Sequence, residues 1–273
     1  MIRLIVDSGS SIKPEEKEKY NVDIIPIRVT LGDEDFLDGE NLDIDYFYEC
    51  LIEKKIWPKT SLPNLALIED MVDKYVEAGD EVIIITISQK ISGTYNAINM
   101  LFDGNEHVHV VDSKIAVGGI RILVDEVNKY RDRPVSEILD RINMLIPKIV
   151  VAAIPETLNY LHKGGRLSKT EWLIGSVVGI KPIIGFVDGY VKMTGKKVGI
   201  VRSMKAVCEI VNNEADTSYG IVGSYTYKDE RLQQMIKMLD EDKKAAINAY
   251  DNLDPAIACH WGPNAFGFIY VKK

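Results

Sequence analysis

The sequence predicts an α/β protein: a parallel-sheet N-terminal domain with helices on both faces, followed by a smaller α+β C-terminal domain. Three observations lead there. Val82, Ile83, Ile84, Ile85 and Ile87 form an apolar run without polar alternation, the pattern of a strand buried on both faces of a parallel sheet. Directly after it, from Thr94 to Phe102, the chain fits a helix better than a second strand. Strand-to-helix alternation recurs over the first half and implies right-handed βαβ units, whereas beyond Pro147 hairpin and short-strand signals take over. The expected domains are residues 1–147 and 148–273.

In chain order, Arg3–Val6 reads as an opening strand ending in the polar turn Asp7–Ser11, and Asp23–Thr30 as a second strand. The acidic stretch Gly32–Glu40 reads as a loop whose charge run is a solvated face, the spacing of Asp33, Glu34, Asp35 and Asp38 failing the EF-hand pattern. Ile68, Met71, Val72 and Tyr75 recur at helical spacing, and His107–Val111 is a further strand ending in Asp112-Ser113. Ile120, Leu123, Val124 and Val127 mark one helix; Val135, Ile138, Leu139, Ile142 and Leu145 mark another. In the second half, Ile149–Ile154 is a strand, Pro155–Lys163 reads as helical, and Ser168 with Glu171 forms a capping-box pattern before the next helix. Asp188-Gly189 between apolar segments predicts a hairpin. Leu232, Met235, Ile236 and Leu239 give one more amphipathic helix. Tyr219–Ser224, Ala245–Tyr250, Ala256–Cys259 and Gly267–Val271 are candidate strands of a smaller mixed sheet.

Composition narrows the function. Forty-one acidic against 33 basic residues give a net charge of −8 over 273 residues, which argues against a nucleic-acid binder. Apolar runs are too short to span a bilayer, no integral membrane segment is expected, and no signal-peptide core follows Met1. The cytoplasm is the default location. Cys50, Cys208 and Cys259 are isolated and odd in number, so no disulfide framework or CxxC site is evident. His107 and His109 alternate along a strand, but no Cys or carboxylate pair accompanies them at metal-binding spacing. No metal and no cofactor are expected.

Four polar clusters carry candidate chemistry. In Lys59-Thr60-Ser61-Leu62-Pro63, two hydroxyls precede a proline that favours extended geometry; a turn or a helix start is the plainer reading. Ser92-Gly93-Thr94 falls where a strand's carboxyl end meets a helix's amino end, a place where open α/β sheets bind ligands and backbone amides favour an anion. Ser92 can also simply cap the helix, and the two roles are compatible. Lys163-Gly164-Gly165-Arg166 combines glycines that tolerate positive φ with cations, and equally suits a helix C-terminus. Cys259-His260-Trp261-Gly262-Pro263-Asn264 sets a histidine at the exit of a strand into a rigid turn. There is no P-loop, no G-x-G-x-x-G and no G-x-S-x-G elbow.

In order along the chain, these segments resemble the DegV family of bacterial lipid-binding proteins. The matching pieces are Asp7-Ser8, Thr60-Ser61-x-Pro63, Ser92-Gly93-Thr94-Tyr95, Val111-Asp112-Ser113, Tyr160-Leu-x-Lys-Gly-Gly-Arg166, Lys181-Pro182-Ile183, Gly189 and His260-x-Gly-Pro263. The resemblance implies a protein that is not itself an enzyme. It would hold one long-chain fatty acid in an apolar tunnel between its domains and present it to a separate ATP-dependent fatty-acid kinase, giving an acyl-phosphate for phospholipid synthesis. It places the carboxylate on Thr60 and Ser92, with Ser61 and Gly93 beside them, Arg166 and His260 near the head group, and Arg202 in kinase docking. The family commonly has Gln where this chain has Leu62, and small residues near the positions of Trp261 and Asn264. These departures bear on acyl specificity and partner interaction. Two other readings compete: a hydrolase or acyltransferase using Ser92 or Cys259 with His260, for which no orienting Asp is evident, and a lipid sensor acting on a partner other than a kinase.

Overall fold

The computed structural model describes residues 1–273 and divides into two compact units, Met1–Pro147 with Asp254–Ala256, and Lys148–Leu253 with Ile257–Lys273. The first unit runs β1 (Ile2–Asp7), α1 (Lys17–Tyr20), β2 (Asp23–Ile25), β3 (Arg28–Leu31), β4 (Glu34–Leu37), α2 (Ile44–Tyr48), β5 (Lys59–Ser61), α3 (Leu65–Glu77), β6 (Glu81–Thr86), α4 (Thr94–Leu101), β7 (Val108–Asp112), α5 (Gly118–Lys129) and α6 (Val135–Leu145). Its main sheet is parallel, in the order β2-β1-β6-β7, as the apolar residues Val82–Ile85 and Ile87 predict. Val82 and Ile84 of β6 join Ile5 and Ile25 in a core with Ile68 and Val72 of α3 and Ile98 of α4. Ile83 and Ile85 point to the opposite face, where they too are closed to solvent.

A three-stranded antiparallel sheet, β4-β3-β5, departs from the sequence reading. The expected strand Asp23–Thr30 is two strands in two sheets. Pro26 separates them: it has no N–H to give a ladder, and the amide of Ile27 turns instead to the Ser8 hydroxyl at 3.1 Å. The acidic stretch Gly32–Glu40 presents Asp33, Glu34 and Asp35 to solvent as expected, but it is not all loop. Glu34–Leu37 forms β4 against β3, and Asp38 is buried. Thr60 and Ser61, expected in a turn or helix start, lie in β5.

The second unit comprises β8 (Ile149–Ile154), α7 (Asn159–Lys163), α8 (Lys169–Gly175), β9 (Ile180–Val187), β10 (Tyr190–Val198), α9 (Ile200–Glu214), β11 (Ile221–Tyr225), α10 (Glu230–Ile236), α11 (Glu241–Ala245), β12 (Ile247–Asn252), most of α12 (Pro255–Trp261) and β13 (Phe266–Val271). Its mixed sheet has the order β10-β9-β8-β13-β11-β12 and, with six strands, exceeds the parallel sheet of the first unit. Met204, Val207 and Val211 of α9 and Leu232 and Met235 of α10 pack with Ile154, Phe266 and Phe268. The β9–β10 hairpin turns on Asp188 (φ 49°) and Gly189 (φ 84°), the doubly positive φ of a type I′ turn. Ser168 accepts the amide of Glu171 at 3.3 Å, the N-cap half of the expected capping box. Two expectations are corrected. Pro155–Leu158 precede the helix rather than belong to it. Ala256–Cys259 is helical, not a strand: a four-residue apolar run carries no period that separates the two, and Pro255 fits a first helical turn.

Gly267 lets β13 lie close to β8, since a Cβ there would stand 2.5 Å from the Ala153 Cα and overlap the Ala152 carbonyl. Gly267→Ala is therefore expected to cost the second unit about 1–3 kcal/mol, read as faster hydrogen exchange in β8 and β13 with β1 and β6 unchanged.

Candidate functional site

The carboxyl ends of the parallel strands are tied together by side chains. Asp7, at the end of β1, accepts the amides of Gly9 at 3.1 Å and of Ile87, just past β6, at 2.8 Å. Asp112, at the end of β7, accepts the amide and side-chain nitrogen of Gln89 at 3.1 and 2.8 Å. The Ser88 amide bonds the Ile115 carbonyl at 2.8 Å, and the amides of Ile91 and Ser92 close back on the Ser88 carbonyl at 3.1 Å. The loop carrying Ser92 is thus held at both ends. Its Asp-Ser flanks, quoted for the family resemblance, act here on the protein's own backbone.

At the end of this loop Gly93 opens α4 with helical φ, and Ser92 supplies the local cap. Its Oγ accepts the Thr94 amide at 3.2 Å and lies 2.9 Å from the Thr94 hydroxyl. A hydroxyl carries one donor and two acceptor positions. When Thr94 donates to Ser92, both acceptor positions are filled and the Ser92 O–H is left to donate outward. Capping by this side chain therefore leaves its hydroxyl proton available in that arrangement. Thr94, itself buried, is the partner of this cap through both its amide and its hydroxyl; in the sequence it stood in the cluster without a role.

β5 comes to the same place. A Cβ on Gly93 would lie 3.4 Å from Cδ2 of Leu62, so the residue after β5 packs over the start of α4. Register then separates the two β5 hydroxyls. Thr60 pairs with Val29 and Ser61 with Arg28, and paired residues share a face of the sheet. Val29 is fully buried, so Thr60 faces inward while Ser61 is exposed beside Arg28. Leu62 is thus what links β5 to the start of α4, while Thr60 and Ser61 lie on opposite faces of their strand.

The second unit gathers another group. The α7 helix ends at Gly164, and Gly165 at φ 77° lets the amides of Arg166 and Leu167 return to the Leu161 carbonyl at 2.9 and 3.1 Å. This is the helix C-terminus that the double glycine equally suited. Arg166 folds back to donate to the Gly164 carbonyl. A Cβ on Gly164 would stand 2.5 Å from His260 Nδ1, so the loop and imidazole are packed together. Burial, and then the positive charge of Arg166, pull the His260 pKa down to about 4. The imidazole is neutral at physiological pH, offering one donor and one acceptor rather than a charge. His260 leaves a helix, not the strand expected. Cys259 is sealed from solvent, a setting that suits packing rather than nucleophilic attack. Arg202 is exposed on the first turn of α9.

His107 and His109 share one carboxylate: their ring nitrogens lie 2.9 Å from Oε1 and Oε2 of Glu81. No group of three or more His, Cys, Asp or Glu side chains is placed to hold a metal ion. No helix is long and apolar enough to cross a membrane.

A family model described as "Uncharacterised protein, DegV family" matches residues 1–273. The chain belongs to the DegV family. Among curated relatives, a DegV domain-containing protein of Clostridium acetobutylicum is 27% identical over 283 residues, covering 100% of this chain and 99% of the relative. One from Staphylococcus aureus is 29% identical, covering 99% and 98%. Among solved structures, a fatty acid binding DegV family protein from Streptococcus agalactiae superimposes with a TM-score of 0.87 at 27% identity, covering 100% of this chain and 99% of that one. A stearic acid-binding protein from Eubacterium ventriosum does so with a TM-score of 0.87 at 22% identity, with the same coverage, and shares the fold.

Asp7 is wholly buried, and burial lifts its pKa to about 7 against the two amides that favour its charge. In the unfolded chain the group ionises near pH 4. The native state therefore holds its proton longer, and stability falls as pH rises between those values. The urea midpoint is expected to drop from about pH 5 to about pH 8, with a shallower drop in Asp7→Asn; a midpoint that rises over this interval would contradict the assignment.

Proposed function

We propose that this protein binds a long-chain fatty acid and carries it to a separate ATP-dependent fatty-acid kinase, which forms the acyl-phosphate. The single observation that supports the reading is the packing of Leu62, the residue after β5, over Gly93 at the start of α4, next to the Ser92 hydroxyl and two residues on from Thr60. Membership of a family whose solved members include a fatty acid binding protein at 27% identity supports the same ligand class.

The energetics suit a carrier. Burial of an acyl chain contributes about 0.8 kcal/mol per methylene, so the tail dominates affinity. The carboxylate needs hydrogen bonds to offset its desolvation. Thr60 and Ser92 donate two, and the amide end of α4 adds a favourable field. Neither hydroxyl is a cation, so the carboxylate keeps an unpaired oxygen able to attack a phosphoryl group supplied by the partner. Chemistry belongs to the kinase and the carrier acts in the cytoplasm. The roles the resemblance gives Arg166 and His260 beside the head group, and Arg202 in kinase docking, belong to this proposal. Ser61, on the outer face of β5, is left out of the carboxylate contacts.

Native mass spectrometry of the purified protein tests the reading. A bound mass matching a fatty acid is expected, with retention falling about tenfold in Ser92→Ala and in Thr60→Val, while Ser61→Ala behaves as the parent. Protein that stays ligand-free after incubation with mixed fatty acids overturns it. Loaded protein that yields no acyl-phosphate with a fatty-acid kinase and ATP overturns the carrier role alone.

A further inference from the structure

A second polar cluster of the first unit takes no part in the proposed lipid site. Asp38 follows β4 and is 1% exposed; Asp254 is 7% exposed. Asp254 belongs to Asp254–Ala256, the three residues the chain returns to this unit late in the sequence before α12 runs on. Asp38 Oδ1 accepts the Ala256 amide at 3.2 Å, and Lys13 Nζ pairs with Asp254. Gly39 packs beside Pro14, so the loop after β4 rests on the segment that carries Lys13. The groups facing Asp38 are Asp254, Lys13 and the Ser8 hydroxyl; those facing Asp254 are Asp38, Lys13, Glu15 and Arg121. Glu15 is exposed. Arg121 is already matched by Glu16, at 3.0 and 3.1 Å, and also bonds the Tyr20 hydroxyl and the Ser11 carbonyl. Two buried carboxyls are left with one ammonium group. That cluster balances electrically only if one carboxyl keeps its proton.

We propose that Asp38 and Asp254 form a proton-dependent clasp that holds Asp254–Ala256, where α12 begins, in the first unit. With Asp38 neutral, its carboxyl oxygen still accepts the Ala256 amide while Lys13 neutralises Asp254. Ionisation of Asp38 sets two buried negative charges against a single cation, a state that opening relieves by returning one charge to water. Burial, then Asp254, raises the Asp38 pKa to about 8, with Ser8, Ala256 and Lys13 pulling the other way; burial also raises Asp254, against Lys13. The native state therefore holds the proton far above the ordinary carboxylate range, and opening becomes easier as pH rises towards 8. The inference concerns the clasp alone and stands or falls apart from lipid binding.

Hydrogen exchange by mass spectrometry on the full chain tests it, from about pH 5.5 to about pH 9, with rates corrected for intrinsic exchange. In the peptide spanning Leu253–Trp261, the opening constant should rise by up to about tenfold per pH unit and level off near pH 8, while α9 shows no such slope. Asp38→Asn cannot ionise and still accepts the Ala256 amide; it should lose most of the slope and be better protected than the parent on the alkaline side. A flat profile in the parent, or the same slope in Asp38→Asn, overturns the proposal. If Asp38→Asn does not fold, Asp254→Asn decides. Without its neighbour's charge Asp38 titrates lower, so levelling should move to lower pH, and an unmoved levelling point counts against the clasp.

Discussion

The two hydrogen bonds that Asp7 accepts, from Gly9 and Ile87, join the end of β1 to the residue that follows β6. Everything in the proposed site depends on that union. Parallel strands end together, but their loops diverge unless something holds them, and a buried carboxylate accepting two amides does so at the cost of its own desolvation. Burial wins by enough to lift the group to about 7. Asp112 repeats the device on the other side of β6 through Gln89, and Ser8 anchors Ile27 where Pro26 interrupts the strand. With the rim fixed, the Ser88–Ser92 loop is held at both ends, and Gly93 after it packs against Leu62, the residue that follows β5.

The parallel sheet was legible because burial on both faces leaves an unmistakable mark, the four consecutive apolar residues Val82–Ile85 without polar alternation. The start of α4 was legible for a related reason: only a change of period explains Thr94–Phe102 after such a run. The β4-β3-β5 sheet was not. Its strands are only three or four residues long, too short to display a period, and β4 carries Glu34 and Asp35 on an exposed edge. Asp38 shows the same limit from the other side. It sits in an acidic run that reads as solvated, and nothing local reveals that Lys13, Asp254 and the Ala256 amide will enclose it from distant points in the sequence. The pairing of His107 and His109 with Glu81 was hidden too, because strand neighbours in a parallel sheet are set by register rather than by sequence distance.

The candidate site was legible as a set of hydroxyls but not as a geometry. Thr60 and Ser61 are neighbours in sequence, yet strand alternation sends one inward and the other to the surface. The Ser92 cluster is closed by Thr94, whose amide donates to the Ser92 oxygen and whose hydroxyl lies 2.9 Å from it. Leu62, where the family commonly has Gln, contributes packing over Gly93 in place of a polar group. The contact that brings the end of β5 to α4 is therefore apolar in this chain, and in the proposed function an anionic group is left to the two hydroxyls and the helix amides.

The central claim is that these hydroxyls hold a fatty-acid carboxylate, and carboxyl-13C-labelled palmitate bound to the protein reports on it directly. A carboxylate fixed by donated hydrogen bonds has its charged form favoured. The account predicts one bound carboxyl resonance that stays unprotonated down to about pH 5, and that shifts in Ser92→Ala but not in Ser61→Ala. A bound resonance that titrates as the free acid does and is indifferent to Ser92→Ala would contradict it.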